Sequence, residues 1–234
     1  MICVRKKAVI FDLDDTLIDS TNTWISKAYK TALEELEKSG VIKEDLRVLD
    51  DEYQKPKGFS KSLEKIRDRI PFETHERAMD VYYKNADVSV TRMFPDAHYL
   101  LSGLRYEGYK LAIATSGDYN QQKKKLDMFH FPDYVDEVYI DDSEGSTGKS
   151  KIFTEFAAKY KLSPEEIVVV GDNIGNEIKA GNELGMDTVR IMRGKYSKLE
   201  PVDPSQTPKY TIKNLLDLVH LLEKPIDLTK IEQQ

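Results

Sequence analysis

Acidic residues follow two apolar runs of the chain at positions where their carboxylates could act together. Asp12 and Asp14 follow one run, and Asp172 follows a second. In an extended chain, residues two apart point to the same side, so Asp12 and Asp14 would share one side and Asp172 on a neighbouring strand would add a third acid. Three such carboxylates repel one another unless a hard cation lies among them, and Mg²⁺ prefers carboxylate, water and phosphate oxygens. The spacing therefore predicts a Mg²⁺ site.

Donor groups stand at the ends of two further runs. Thr115 and Ser116 end one run, and Lys149 lies in a glycine-containing segment after another. A hydroxyl and an ammonium supply hydrogen bonds and positive charge where an anion beside the metal would lie, so metal and donors together frame a phosphate. The preference of turns for Asp would explain a lone acidic pair. This chain instead has polar residues at the ends of four apolar runs, which favours one shared site.

Short apolar runs alternate with segments of helical spacing along most of the chain. Five runs predict strands: Lys7–Asp12, Lys110–Thr115, Glu137–Ile140, Ile167–Gly171 and Thr188–Ile191. Five segments predict helices: Ala97–Tyr106, Asn120–Phe129, Ser150–Tyr160, Ile174–Leu184 and Lys213–Glu223. This alternation predicts an α/β fold with a Rossmann-like, doubly wound parallel sheet, in which ligands bind at the carboxyl ends of the strands.

One part of the chain breaks this alternation. Between residues 20 and 91 no segment predicts a strand, and the helix-favouring stretches are Thr23–Lys38, Glu44–Gln54, Ser60–Arg69 and Glu73–Lys84. The sequence therefore predicts two domains. Residues 1–19 and 92–234 would form the catalytic core, and residues 20–91 would form an inserted all-helical domain.

The composition predicts a soluble globular protein of a reducing compartment. The 234 residues include 35 Lys and Arg against 41 Asp and Glu, a net charge of −6. An acidic chain whose basic patches are as short as Lys123–Lys125 argues against nucleic-acid binding. Its single cysteine, Cys3, cannot form an intrachain disulfide, and its apolar stretches are too short for a signal peptide or a membrane span. We therefore expect a cytoplasmic protein that binds neither membranes nor nucleic acids.

Four segments, in order, match the motifs of a known family. They are Phe11-Asp-Leu-Asp-Asp-Thr-Leu17, Thr115 in Ile-Ala-Thr-Ser-Gly, Lys149 in Thr-Gly-Lys-Ser-Lys, and Gly171-Asp-Asn-Ile-Gly-Asn-Glu177. With these motifs the chain resembles the haloacid dehalogenase superfamily of aspartate-nucleophile hydrolases, outside the inserted helices. The insertion resembles the helical cap of the phosphoglycolate-phosphatase-like branch. Such a cap would exclude water and limit substrates to small organic phosphates.

The resemblance implies the mechanism of a phosphatase. Asp12 would attack phosphorus and form an aspartyl-phosphate, while Asp14 would protonate the leaving oxygen and then deprotonate the hydrolytic water. Thr115, Ser116 and Lys149 would hold the phosphoryl oxygens. Relatives that cleave carbon–halogen bonds or phosphonates lack an acid two residues after the nucleophile, so Asp14 favours phosphate esters.

The resemblance also implies the ligands of Mg²⁺. The metal would be held by the Asp12 carboxylate, the backbone carbonyl of Asp14 and Asp172. Asn173 and Glu177 belong to the same motif as Asp172 and would support the metal site. Glu177 stands where Asp is more usual, so it either orients a water on the metal or merely lies on a helix.

Three other interpretations compete with the phosphatase. Residues 139–150 resemble a nucleotide-binding P-loop, but Ser143 stands where that pattern requires glycine, and Asp141 and Asp142 would repel phosphates. A phosphate-responsive signalling module uses a similar acidic pocket, but it is about half as long and lacks the insertion. A phosphomutase of the same fold usually has glycine where this chain has Asp15, which favours hydrolysis.

Side chains of the insertion offer candidates for substrate contact. Arg67, Arg69 and Lys57 are cations, although each also fits a solvated helix or turn. Trp24 and the Tyr82-Tyr83 pair could line a pocket, but we expect them to fill the core of the insertion. Specificity depends on such side chains, so the sequence leaves the phosphorylated metabolite and the oligomeric state open.

Overall fold

The computed structural model describes residues 5–55, 58–142 and 148–222. The strands of these residues are β1 Ala8–Phe11, β2 Ile18–Asp19, β3 Arg92–Met93, β4 Lys110–Ser116, β5 Glu137–Asp141, β6 Ile167–Gly171, β7 Asp187–Ile191 and β8 Tyr210–Ile212. Their α-helices are α1 Ser26–Lys38, α2 Lys43–Tyr53, α3 Phe59–Leu63, α4 Phe72–Lys84, α5 Pro95–Tyr106, α6 Tyr119–Met128, α7 Gly148–Tyr160 and α8 Lys179–Glu183. Cys3, Lys57 and Ser143 lie outside the described residues.

Six strands form a parallel sheet in the order β5-β4-β1-β6-β7-β8. β1 lies between β4 and β6, with Phe11 beside Ile113 on one side and Val170 on the other. The chain winds away from β1 in both directions, so the strand order reverses there and a ligand crevice opens at the carboxyl ends. The predicted Rossmann-like α/β fold is confirmed.

Alternate residues of the central strands pack on opposite faces of the sheet. Val9 and Phe11 belong to one apolar cluster, with α5 and the described leucines 215, 218 and 222. Ala8 and Ile10 belong to the other, with α7. Burial on both faces explains why these strands are continuous apolar runs, and it fixes the strand ends rigidly.

Three parts of the chain outside residues 20–91 differ from the sequence expectation, and one of them is the short antiparallel pair of β2 with β3. The edge strand β8 was not predicted, because Tyr210 and Thr211 are exposed and carry no apolar run. Within the described part of the expected helix Lys213–Glu223, Leu215–His220 forms a 3-10 helix whose start is capped by Asn214, and Glu223 lies outside the described residues. Leu215 and Leu218 are both fully buried, and their three-residue spacing suits the 3-10 repeat.

The chain divides into two compact units, Met1–Asp19 with Arg92–Gln234, and Ser20–Thr91. The second unit has its own core, which includes Leu36, Leu49, Leu63 and Ile66. Every α-helix described between residues 20 and 91 belongs to this unit, and the described residues there form no strand. No α-helix of the described residues combines the length and the hydropathy needed to cross a bilayer.

Aromatic side chains fill the core of the Ser20–Thr91 unit. Trp24 and Tyr82 are both 8% exposed, as expected, whereas Tyr83 is 44% exposed. The rings of Phe59 and Tyr82 stack with centroids 4.4 Å apart. The two described cation candidates form ion pairs with carboxylates of their own unit: Arg67 with Glu64 and Arg69 with Asp45.

Candidate functional site

Asp12 directly follows β1 and is paired with the ammonium group of Lys149, the second residue of α7. Nζ of Lys149 lies 2.6 Å from Oδ1 of Asp12 and also donates to the backbone carbonyl of Ala114. Burial raises the pKa of Asp12, and Lys149 offsets part of that rise. Desolvation alone would lower the pKa of Lys149, but the charges of Asp12 and Glu177 raise it, so the ammonium stays charged.

Asp12, Asp172 and Glu177 form a compact group of carboxylates. One oxygen of each lies within 4.8 Å of the others. Asp172 follows β6, and Glu177 lies in the π-helical turn Ile174–Ile178. Oε1 of Glu177 accepts a hydrogen bond of 2.6 Å from the backbone N–H of Asn173, and the Asn173 side chain caps the turn by accepting from Gly175. Asn173 therefore holds in place the turn that carries Glu177.

The cluster of Asp12, Asp172 and Glu177 is destabilised by burial and by the repulsion between its carboxylates. Burial and the neighbouring acid Glu177 raise the pKa of Asp172 well above its usual range. Burial and Asp12 raise the pKa of Glu177 to about 7. Oδ2 of Asp172 is buried without a hydrogen-bond partner among the described residues. An unsatisfied buried carboxylate oxygen beside two further acids fits a divalent cation with oxygen ligands.

Two glycines let these side chains come together. A Cβ on Gly171 would lie 2.2 Å from Cγ of Glu177. A Cβ on Gly148 would lie 1.8 Å from Oδ2 of Asp141 at the end of β5, so a larger residue there would displace the Asp141 side chain. Glycine at these two positions therefore leaves room for the side chains of Glu177 and Asp141.

The carboxylate of Asp14 is not part of this group, which corrects the expectation from its two-residue spacing to Asp12. Both of its oxygens lie 2.7 Å from Nζ of Lys125. The physical reason is a tight turn after β1. The Leu13 carbonyl accepts hydrogen bonds from the N–H groups of residues 16, 17 and 18, and Asp15 has a left-handed φ of 56°. Alternation of an extended strand does not apply to such a turn.

The end of β4 presents two hydroxyl groups. The Thr115 side chain is 1% exposed and donates to Oε1 of Gln122 at 3.2 Å. The Ser116 Oγ is buried and has no hydrogen-bond partner among the described residues. The Gln122 amide also donates to the Ser116 carbonyl at 3.1 Å. The structure thus brings Asp12, Lys149 and Asp172 together with Glu177, and it joins Asp14 to the Thr115 end of β4 through Gln122.

Sequence reasoning missed Gln122 and Lys125. Lys125 was assigned to a short basic patch, yet it is 1% exposed, whereas Lys123 on the same helix pairs with Asp127 at the surface. A signal was present in the helical spacing. Gln122 and Lys125 share one face of α6 with the apolar Leu126, which is the face that a helix following a buried strand turns inward.

Known proteins resemble the chain over nearly its whole length. Residues 9–191 match the family of haloacid dehalogenase-like hydrolases. A glyceraldehyde 3-phosphate phosphatase from Methanopyrus kandleri is 33% identical over 232 residues, which cover 93% of this chain and 99% of the relative. A phosphoglycolate phosphatase from Aquifex aeolicus is 29% identical and covers 94% of this chain and 98% of its own length.

Solved structures share the fold. The HAD phosphatase from Thermococcus onnurineus superposes with a TM-score of 0.63 at 24% identity, covering 94% of this chain and 99% of its own. A predicted phosphoglycolate phosphatase from Haemophilus somnus gives a TM-score of 0.70 at 19% identity, covering 93% of this chain and 98% of its own. At these identities the likeness shows the fold alone. The sequence match across residues 9–191, together with the Methanopyrus kandleri relative, shows that the chain belongs to the haloacid dehalogenase-like hydrolase family.

Proposed function

We propose that the chain is a Mg²⁺-dependent phosphatase that hydrolyses small phosphomonoesters through an aspartyl-phosphate on Asp12. One observation carries this proposal. The carboxylate of Asp12 lies at the centre of the sheet's carboxyl edge, 2.6 Å from a buried ammonium and within 4.8 Å of two further carboxylates. Such a site can hold a cation and a phosphate side by side. The curated relatives named above are phosphatases and match over nearly the whole chain.

The residues of the site suit Mg²⁺. When Asp12, Asp172 and Glu177 are all ionised, the single ammonium of Lys149 leaves two of their negative charges uncompensated, which a divalent cation would balance. We assign the metal to the carboxylates of Asp12 and Asp172 and to the backbone carbonyl of Asp14, with Glu177 beside them. When bound there, Mg²⁺ would stabilise negative charge on the phosphoryl oxygens.

Asp12 is the proposed nucleophile. Its carboxylate oxygen bonds to phosphorus while the bond from phosphorus to the ester oxygen breaks, and Asp14 gives its proton to that leaving oxygen. Water then attacks phosphorus and passes its proton back to Asp14, which restores the Asp12 carboxylate and releases phosphate. Lys149 favours the anionic form of Asp12 and offsets the repulsion between that carboxylate and the approaching phosphate dianion.

The end of β4 is the proposed phosphoryl-binding side. The buried Ser116 Oγ has a hydrogen bond to offer, and the Thr115 hydroxyl can turn from Gln122 towards a bound oxygen. Lys149 contacts the Ala114 carbonyl on the same strand, so all three donors are held by β4 and its neighbours. Their placement is rigid because β4 is buried between β1 and β5.

The proposed substrates are small phosphate esters of primary alcohols. The relatives are named for glyceraldehyde 3-phosphate and for phosphoglycolate. We assign residues 20–91 the role of a cap that selects such substrates. Specificity between these esters then depends on side chains of the cap.

Phosphate release from a panel of small phosphomonoesters tests the proposal. The panel contains glyceraldehyde 3-phosphate, phosphoglycolate, a nucleoside monophosphate and a haloacid control, each with Mg²⁺ and with a chelator. We expect Mg²⁺-dependent release from the small esters and no halide release. Transfer of the phosphoryl group to a second hydroxyl would instead show a mutase, and stable phosphorylation without turnover would show a signalling module.

A further inference from the structure

α6 carries two side chains that converge on Asp14, and neither belongs to the four sequence motifs. We propose that Gln122 and Lys125 are positioning residues that aim the carboxylate of Asp14 at the leaving oxygen of the substrate. The inference rests on the proposed function, because it concerns the proton transfer assigned to Asp14.

Lys125 fixes the carboxylate through both of its oxygens. Nζ lies 2.7 Å from Oδ1 and 2.7 Å from Oδ2 of Asp14. The Lys125 side chain is 1% exposed, whereas that of Asp14 is 23% exposed. The ammonium therefore approaches from inside the protein, and the carboxylate remains accessible from the other side. A group held from behind in this way can still exchange a proton with a substrate.

Gln122 ties Asp14 to the phosphoryl-binding side. Its Nε2 donates to Oδ2 of Asp14 at 3.1 Å and to the Ser116 carbonyl at 3.1 Å, while its Oε1 accepts from the Thr115 hydroxyl at 3.2 Å. The Gln122 amide thus sets the distance between the Asp14 carboxylate and the end of β4. Gly117 leaves room for it, since a Cβ there would lie 2.8 Å from Nε2.

Packing alone does not explain the pair. Burying an ammonium and an amide costs desolvation that apolar side chains on the same helix face would avoid. Because Gln122 and Lys125 lie three residues apart, one turn of α6 delivers both groups to the same carboxylate. A geometry this specific, at the group that transfers the proton, favours a role in turnover.

The effect of losing Gln122 or Lys125 on activity should depend on the leaving group of the substrate. An alkyl ester leaves as a strongly basic alkoxide unless Asp14 protonates it, whereas para-nitrophenolate leaves without a proton. The ratio kcat/KM reports the steps up to departure of that group. A misaligned Asp14 therefore lowers kcat/KM for an alkyl phosphate and leaves it nearly unchanged for the aryl phosphate, whereas a general loss of packing lowers both.

The experiment compares Lys125→Met and Gln122→Met with wild type on phosphoglycolate and para-nitrophenyl phosphate, both with Mg²⁺. The matched control is Lys123→Met, which removes a lysine of the same helix that pairs with Asp127 at the surface. We expect kcat/KM for phosphoglycolate to fall about 10- to 100-fold in both variants, a part of the usual contribution of general acid catalysis. The aryl ester should change by less than about threefold, and Asp14→Asn should show the same selectivity with a larger loss.

Equal losses on the two esters, or full activity of both folded variants on phosphoglycolate, would overturn the positioning role. Circular dichroism and melting temperatures identify a variant that fails to fold. If Lys125→Met fails, Gln122→Met keeps the charge of Lys125 and carries the test alone. Failure of the proposed function is distinguishable, because wild type and Lys123→Met would then release phosphate from neither ester.

Discussion

The backbone of Gly171 lies directly against the side chain of Glu177, and a methyl group on Gly171 would stand 2.2 Å from Cγ and 2.4 Å from Oε1. Because the last residue of β6 has no side chain, Glu177 has room to lie beside Asp12 and Asp172. This contact connects the packing of the central sheet to the charge distribution of the site, so a single methyl group can test it.

Gly171→Ala should displace Glu177 and weaken binding of Mg²⁺. The added methyl has no room, so Glu177 loses its hydrogen bond to the N–H of Asn173. We expect the Kd for Mg²⁺, measured by calorimetry, to rise at least about tenfold, as for other residues that orient metal ligands. The free energy of unfolding should fall by about 1–3 kcal/mol. Gly58→Ala is the control, because no atom lies within 4 Å of its added Cβ, and an unchanged Kd in Gly171→Ala would contradict the role of Glu177.

Asp172→Asn should separate two effects of the clustered acids, which are their destabilisation of the metal-free protein and their binding of Mg²⁺. Oδ2 of Asp172 is buried without a partner among the described residues, and two further acids repel it. Without metal, the neutral side chain should therefore raise the melting temperature or leave it unchanged. Addition of Mg²⁺ should raise the melting temperature of wild type and not that of Asp172→Asn.

The control for that measurement is Asp133→Asn, which removes an exposed carboxylate of the same unit and should keep the response to Mg²⁺. A strong stabilisation of Asp172→Asn by Mg²⁺ would show that the metal binds elsewhere.

Asp187→Asn should destabilise the protein in a pH-dependent way. The Asp187 carboxylate lies 2.6 Å from Nζ of Lys6 and 2.8 Å from Nζ of Lys209. Burial opposes ionisation, but the two lysines outweigh it and lower the pKa of Asp187. A carboxyl whose pKa is lower in the folded state stabilises above its unfolded pKa of about 3.9, and this contribution is lost as the pH falls further.

Urea unfolding at several pH values checks this linkage. Wild type should be more stable than Asp187→Asn at neutral pH, and the difference should shrink once the pH falls below about 4. A difference that stays constant down to acid pH would mean that the carboxylate acts through packing and not through its charge.

The sheet could be predicted because its central strands are buried on both faces and read as unbroken apolar runs, as in Ile167–Gly171. The edge strand β8 could not, since Tyr210 and Thr211 are exposed. The short antiparallel pair of β2 and β3, Ile18–Asp19 with Arg92–Met93, was also missed. Two residues per strand give no period, and their pairing depends on chain segments far apart in sequence.

Some features of the site could likewise be predicted from the sequence, whereas others could not. The strand ends predicted the positions of Asp12, Thr115 and Asp172, because parallel strands bring their carboxyl ends to one edge. The orientation of Asp14 could not be predicted, since it depends on a turn in which Asp15 is left-handed. The burial of Lys125 could not be predicted for a different reason. Which face of α6 turns inward is decided by packing on the sheet, and the lysine run 123–125 conceals the one member that is buried.

Asp12→Asn should abolish turnover and keep the fold. The amide has the shape of the carboxylate but is a far weaker nucleophile, so kcat should fall about 10⁴-fold or more, as for the loss of other catalytic nucleophiles. Lys149 keeps its hydrogen bond to the Ala114 carbonyl, and Asp172 and Glu177 lose one neighbouring charge that repels them. Steady-state phosphate release and circular dichroism check the two parts of this prediction.

The phosphoryl group on Asp12 itself can be detected directly. Wild-type protein is mixed with Mg²⁺ and phosphoglycolate, quenched in acid within a single turnover and treated with borohydride, which reduces an acyl phosphate to an alcohol. Mass spectrometry of the peptide that contains Asp12 should show this reduction in wild type and not in Asp12→Asn. Turnover at an undiminished rate by Asp12→Asn, or phosphoryl transfer to another residue, would contradict the proposed mechanism.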